Sequence, residues 1–372
     1  MVTKEKNQKK TLLEAYDNSA RLYKSFLEEA EHQIKSILQT SGITVNAITS
    51  RLKSRDSFIG KLNRKPGKYS TLSDMTDIAG IRIITYYSED VDKISEIIEN
   101  EFDIDQENSI DKRESMEPDR FGYCSVHYVV KMSARRLSLT EYQPYKDLKC
   151  EIQIRSVLQH AWAEIEHDIG YKSEVTIPKE MRRSFSRIAG LLEIADKEFN
   201  NIRASLSLYK NIVQDQIKQK APLDQEIDAV VLETINNQDG DIKRLINHIQ
   251  ELTGASIERM DDFQARALIN EFRWLGIKTV KQLTEMCVKY IDVAIVIADE
   301  LLKDFKLEYE DNKLANDIGF FYICYAILLS EFCDVDKIHA YLDNSNIGLP
   351  HEQYQIANEL YELGLRIKRS NE

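Results

Sequence analysis

The residues that could do chemistry fall in three short segments whose side chains alternate in character. A β-strand sends successive side chains to opposite faces of its sheet. In residues 148–155 this sets Leu148, Cys150, Ile152 and Ile154 on one face and Lys149, Glu151, Gln153 and Arg155 on the other. In residues 123–128 it groups Tyr123, Ser125 and His127 against Cys124, Val126 and Tyr128. In residues 49–53 it groups Thr49, Arg51 and Lys53 against Ser50 and Leu52. If the three polar files share one sheet face, they form a cation-rich concave site with the Glu151 carboxylate at its centre. Taken singly, each file also fits an antiparallel sheet with one solvated face.

Two neighbouring segments add anion and metal chemistry. Residues 51–68 hold Arg51, Lys53, Arg55, Lys61, Arg64, Lys65 and Lys68 opposed by Asp56, a basic island in a chain of net charge −12. Such clusters suit polyphosphate, and a guanidinium plane can stack on a nucleobase; a solvated amphipathic helix would carry the same charges. Residues 76–84 read as a strand opened by an acid, Asp77. An acid there can hold Mg²⁺ at a sheet edge, with Glu151 as the second oxygen ligand and substrate phosphates completing the shell. It can equally be a cap. Gly80 is expected to let a neighbour approach closely.

Other signals are weaker. His160, Glu164 and His167 lie on adjacent turns but do not form H-E-x-x-H, and no further ligand stands at zinc spacing. Neither G-x-x-x-x-G-K-[ST] nor G-x-G-x-x-G occurs. Phosphates must therefore be held by side chains and metal rather than by a glycine cradle.

The elements that must position these groups read as follows. Residues 10–40 form a helix with an apolar stripe through Leu12, Ala15, Leu22, Leu27, Ile34 and Leu38. Strands are predicted near 43–53, 78–87, 104–112, 123–132 and 147–155, helices near 55–64 and 90–101, and a polar loop over 115–122. A helix over 155–171 shows Val157, Leu158, Ala161, Trp162, Ile165 and Ile169 on one face. A long helix follows over 178–219, broken at Ala221–Pro222. The reading is α+β: an N-terminal helix (1–40), a mixed β-sheet flanked by helices (41–220), and an all-helical domain (223–372).

Bulk properties set limits. At 372 residues the chain is expected to hold more than one core. Its acidity excludes a general nucleic-acid binder. No long apolar run suggests a membrane span, and the lysine-rich start does not read as a signal peptide. The 5 cysteines (Cys124, Cys150, Cys287, Cys324, Cys333) are scattered and read as reduced thiols of a cytoplasmic protein.

Arg51-x-Lys53, Thr76-Asp77-Ile78-Ala79-Gly80-Ile81-Arg82, Gly122-Tyr123-x-Ser125-x-His127 and Glu151-Ile152-Gln153-Ile154-Arg155 with His160–His167 beyond it resemble, in order and spacing, the RelA/SpoT alarmone synthetase domain. The resemblance covers roughly residues 40–175. It implies a nucleotidyltransferase-like sheet and one reaction, transfer of the β,γ-pyrophosphate of ATP to the 3′-hydroxyl of GDP or GTP. It assigns Asp77 and Glu151 to Mg²⁺ and catalysis, and Arg51, Lys53, Lys61 and Arg82 to ATP. Tyr123 stacks on the acceptor base, and Ser125, His127, Gln153 and Arg155 line the acceptor side. Cys124 stands where relatives often carry a basic residue, which leaves the acceptor open. The alternatives are toxic relatives that modify tRNA 3′ ends or adenine nucleotides, and a non-catalytic nucleotide sensor. Bifunctional relatives carry a hydrolase domain ahead of the synthetase; with the short segment ahead of residue 40, hydrolysis of the product is not expected. Residues 223–372 match nothing by pattern and suit a regulatory or homo-oligomerising module; their aromatic segment around Phe320–Tyr325 reads as helical core.

Overall fold

Apolar residues at three-, four- and seven-residue steps make the first element. In the computed structural model, which describes residues 2–111, 125–172, 179–219, 224–258, 262–303 and 313–370, α1 runs Val2–Thr40. It buries Leu12, Tyr16, Tyr23, Phe26, Leu27, Ile34 and Leu38. Leu22, part of the predicted stripe, is 37% exposed. Tyr16, Tyr23 and Phe26 take the inward face in its place, so the stripe is right in period but rotated in detail.

β1 (Val45–Leu52) leads to α2 (Arg55–Arg64). The hydroxyl of Ser54 caps α2 by accepting from the Ser57 N–H. Phe58 and Leu62, one turn apart, are buried, which leaves the basic residues on the other side of the helix. β2 (Ala79–Thr85) and α3 (Glu89–Glu101) follow. The acids Glu89, Asp90 and Asp92 in the first turn of α3 suit the positive end of its dipole. Then come β3 (Phe102–Ile104), β4 (Ile110–Asp111), β5 (Val126–Met132), α4 (Ala134–Leu137), β6 (Cys150–Ser156), α5 (Val157–Lys172) and α6 (Lys179–Lys218).

These strands form one mixed sheet in the order β1-β2-β6-β5-β3, with β4 also on β5. β2 and β6 are parallel; the other pairs are antiparallel. The strand predicted over 104–112 is two pieces. Asp105 breaks it: its carbonyl accepts from the Asn108 and Ser109 N–H groups, and its carboxylate accepts from the Asn108 side chain. On one sheet face Ile48, Ile83, Ile154 and Val126 stand side by side, and the last three are buried in a core shared with α1, Phe58 and Ile94. α5 departs from its predicted face. Among its described side chains Gln159 and Trp162 are buried, whereas Ile165 and Ile169 are 56% and 47% exposed.

Contacts divide the chain into two units, Met1–Ala204 and Ser205–Glu372. The break proposed at Ala221–Pro222 lies outside the described residues. The second unit is built on α7 (Ala229–Gln238), α8 (Gly240–Thr253), α9 (Asp262–Trp274), α10 (Val280–Leu302), α11 (Ile318–Glu331), α12 (Val335–Asn344) and α13 (Gln353–Ser370). α11 is apolar all round and buries Phe320 and Tyr322–Leu329, as a central helix must. The unit also holds a small parallel pair, β7 (Ser256–Glu258) with β8 (Lys313–Ala315), which helical patterning did not foresee. Cys150, Cys287 and Cys324 are buried free thiols. Among the described residues no helix is long and apolar enough to cross a membrane.

Candidate active site

Sheet register turns the separate polar files into adjoining rungs. Thr49 pairs with Arg82, Arg82 with Gln153, and Gln153 with His127. One step along, Arg51 pairs with Gly80, Gly80 with Glu151, and Glu151 with Val129. Partners in register share a face, so these groups lie together, opposite the isoleucine core. Arg51, Asp77, Gly80, Arg82, Glu151 and Gln153 line one cavity of ≈190 Å³. An added Cβ on Gly80 would meet nothing closer than 3.9 Å. No neighbour therefore demands a glycine there, contrary to the expected close approach. Its missing side chain instead leaves the cavity floor open between Arg51 and Glu151.

Asp77 is held by the basic island. The β1–β2 ladder continues one bond past Leu52, with the Lys53 N–H donating to the Ile78 carbonyl at 2.8 Å. That places the Lys53 ammonium 2.9 Å from Asp77 Oδ2. Lys61, on α2, reaches the same oxygen at 2.7 Å. Burial pushes the Asp77 carboxyl up, but the two lysines outweigh it and hold the group below the usual carboxylate range. Its other oxygen, Oδ1, is buried without a hydrogen-bond partner. A buried, ionised oxygen left unpaired costs free energy unless something fills the place, and a hard cation is a suitable occupant.

Glu151 sits on β6, next to Gly80. Its Oε1 is 3.4 Å from His127 Nδ1, and its Oε2 accepts from the Gln153 amide at 3.1 Å. Burial raises its pKa and nearby Asp77 adds to that. The His127 contact, helped by Gln153, prevails and leaves Glu151 below the usual range. Ser125 Oγ lies 2.6 Å from His127 Nε2. Arg155 donates to Gln153 Oε1. Burial, with Arg82 adding to it, pulls Arg155 down to about 10, so it stays a cation at neutral pH.

Arg82 carries one partner that sequence reasoning missed. It pairs with Glu164 of α5 at 2.9 Å, and His160 lies 3.7 Å from the same carboxylate oxygen. The i, i+4 spacing of His160 and Glu164 was visible, but it read only as failed metal spacing. The structure thus brings together Arg51, Lys53, Lys61, Asp77, Arg82, Ser125, His127, Glu151, Gln153 and Arg155. Tyr123 and Cys124 lie outside the described residues. Among the described residues no cluster of three or more His, Cys, Asp or Glu could hold a metal ion alone.

Residues 50–176 match the family described as "Region found in RelA / SpoT proteins". The chain is 27% identical over 202 residues to GTP pyrophosphokinase YwaC of Bacillus subtilis, covering 52% of this chain and 93% of that protein. It is 27% identical over 190 residues to GTP pyrophosphokinase YjbM of the same organism, covering 50% and 86%. Among solved structures, small alarmone synthetase 2 from Bacillus subtilis aligns at 27% identity and TM-score 0.44, over 51% of this chain and 98% of that one. Apart from Thr49, the cleft described above falls within the matched segment, residues 50–176, and the helical unit lies beyond it.

Proposed function

We propose that this cleft transfers the β,γ-pyrophosphate of ATP to the 3′-hydroxyl of GDP or GTP, with release of AMP. The observation that carries the reading is the pair Asp77 and Glu151, two half-buried carboxylates held below the usual carboxylate range in one cation-lined cavity. The matched relatives named GTP pyrophosphokinase support the reaction class.

Phosphoryl-type transfer asks little covalent chemistry of a protein. It asks for in-line placement and neutralised charge. Arg51 and Arg82 stand at the cavity with planar guanidinium groups that fit phosphate oxygens or stack on the donor base. Lys53 and Lys61, gathered by Asp77, place two more cations beside the donor phosphates. Asp77 and Glu151 would hold Mg²⁺; the unpartnered Asp77 Oδ1 fits a hard cation, and one or two carboxylates plus phosphates are its usual ligands. When bound, the ion neutralises charge on the transferred group. Glu151, ionised at neutral pH, can accept the proton of the attacking hydroxyl. The family resemblance assigns Tyr123 to the acceptor base and Gln153 and Arg155 to the acceptor side.

The test offers γ-labelled ATP with Mg²⁺ and, separately, GDP, GTP, adenine nucleotides or bulk tRNA. Label on GDP or GTP is the expected result. Label on tRNA or an adenine nucleotide alone would reassign the acceptor, and no label under conditions where ATP binds would remove the reading.

A further inference from the structure

Arg82 lines the cavity from β2, yet its ion-pair partner stands on a helix. Glu164 of α5 holds the guanidinium through Oε1 at 2.9 Å. α5 follows β6 without a loop, and β2 pairs with β6. The helix that leaves β6 thus carries Glu164, two turns along, back to the strand of Arg82. The Arg82 side chain is 27% exposed and that of Glu164 52%. Arg82, Arg51 and Gln153 wall the cavity, and Glu164 does not. The carboxylate therefore grips the guanidinium from outside the cavity and leaves the space for a ligand clear.

That grip opposes a local repulsion. Burial pulls Arg155 down, Arg82 adds to that, and Glu164 opposes it, so Glu164 acts within reach of both arginines. Like charges crowded on one sheet face push the more exposed side chain, Arg82, toward solvent. A carboxylate at its outer end keeps it at the cavity wall.

We propose that Glu164 is a positioning residue for the donor nucleotide, which fixes the guanidinium plane of Arg82 against which ATP binds. Its role rests on that of Arg82 in the proposed transfer. A loose arginine gives up rotamer freedom when it closes on a ligand, and one already held gives up less. A half-exposed ion pair adds little to the stability of a fold, so the gain lies in pre-organisation. Charge alone predicts the opposite sign: removing a carboxylate beside a polyanion site should tighten ATP. So does a latch, in which Glu164 would withdraw Arg82 from the ligand. Arg82 lines the cavity while paired, which favours the brace.

Glu164→Ala should raise the KM for ATP by roughly 3–5-fold, the scale of one half-exposed ion pair. A contact made equally in the bound and transition states moves KM alone, so kcat, acceptor KM and the thermal midpoint should stay near the parent values. Glu164→Gln keeps an oxygen that can accept from Arg82, and should fall between the parent and the alanine variant. Calorimetric titration with a non-hydrolysable ATP analogue should show the same loss without turnover. Added to Arg82→Ala, Glu164→Ala should cost nothing further, because the brace then has nothing to hold. Tighter or unchanged ATP binding in Glu164→Ala, or an equal cost of Glu164→Ala with and without Arg82, would each overturn the brace. If the parent protein transfers no pyrophosphate, the transfer reading fails, and the calorimetric comparison still decides the role of Glu164. An analogue that fails to bind the parent protein would overturn both.

Discussion

The two units bury carboxylates on opposite terms. In the first, Asp77 and Glu151 are sheltered, yet Lys61 and Lys53, and His127 with Gln153, hold them below the ordinary range. In the second, Glu271 of α9 is 9% exposed and accepts a 2.6 Å hydrogen bond from Tyr341. Among the described residues no lysine or arginine forms an ion pair with it. Burial pushes its carboxyl up, Asp317 adds to that, and the tyrosine only partly opposes it. Cations make a buried acid a reactive, charged group; a tyrosine alone makes it a group that folds best when neutral. The first arrangement belongs to a cleft, the second to the inside of a helical bundle.

Substitutions can break this contrast. The largest effect is expected at Glu151. Glu151→Gln removes the charge and keeps the shape, so transfer should fall by at least roughly 10³-fold while the thermal midpoint stays near that of the parent; retained transfer would detach the cleft from the chemistry. Gly80→Val adds bulk to the open floor, where the new Cβ meets only ordinary contacts. A misplaced substrate should then cost on the order of 10²-fold in kcat/KM, and full activity would mean the donor does not use this cavity.

Removing both cations from Asp77, as Lys53→Met with Lys61→Met, leaves a half-buried charge unpaired. The expected loss is about 1–3 kcal/mol of stability at pH 7. The sign in pH follows from the depressed carboxyl: the stabilisation is present above the ordinary value of 3.8 and is lost as pH falls through the lower folded value. Denaturant unfolding should show a gap between parent and variant at pH 7 that narrows as pH falls below 3.8.

Glu271→Gln should do the reverse. The raised carboxyl contributes stability below the ordinary value of 4.5 and loses it as pH rises through the folded value. The variant should therefore be more stable than the parent at pH 8, by about 1 kcal/mol, the scale of one net hydrogen bond, and indistinguishable near pH 4. A destabilised variant at pH 8 would show that the ionised acid is the favoured form.

Much of the site was legible because strand alternation has a period of two. That pattern assigned Arg51, Glu151, Gln153 and His127 to polar faces without knowledge of which strands are neighbours. It could not supply the register, which depends on pairings between residues far apart in sequence, such as Thr49 with Arg82 and Gln153 with His127. Nor could it show that Lys53 and Lys61 converge on one oxygen of Asp77, since one comes from a ladder and the other from a helix. In α1 the period was readable, but the choice between Leu22 and Tyr23 for the inward place was not: Tyr23 is buried and Leu22 is 37% exposed. The three-residue strands β7 and β8 are too short to carry a pattern. Nothing local in the sequence marks Glu271, because its partner Tyr341 is distant in the chain.

The central claim is that the cleft of Asp77 and Glu151 moves an intact pyrophosphate from ATP to a nucleotide 3′-hydroxyl. Quantifying AMP, ADP and the phosphorylated acceptor together, with GDP or GTP present, tests it most directly. Transfer predicts AMP and 3′-pyrophosphorylated nucleotide in equal amounts, both absent in Glu151→Gln. Formation of ADP and inorganic phosphate in their place, or product made equally well by Glu151→Gln, would contradict the account.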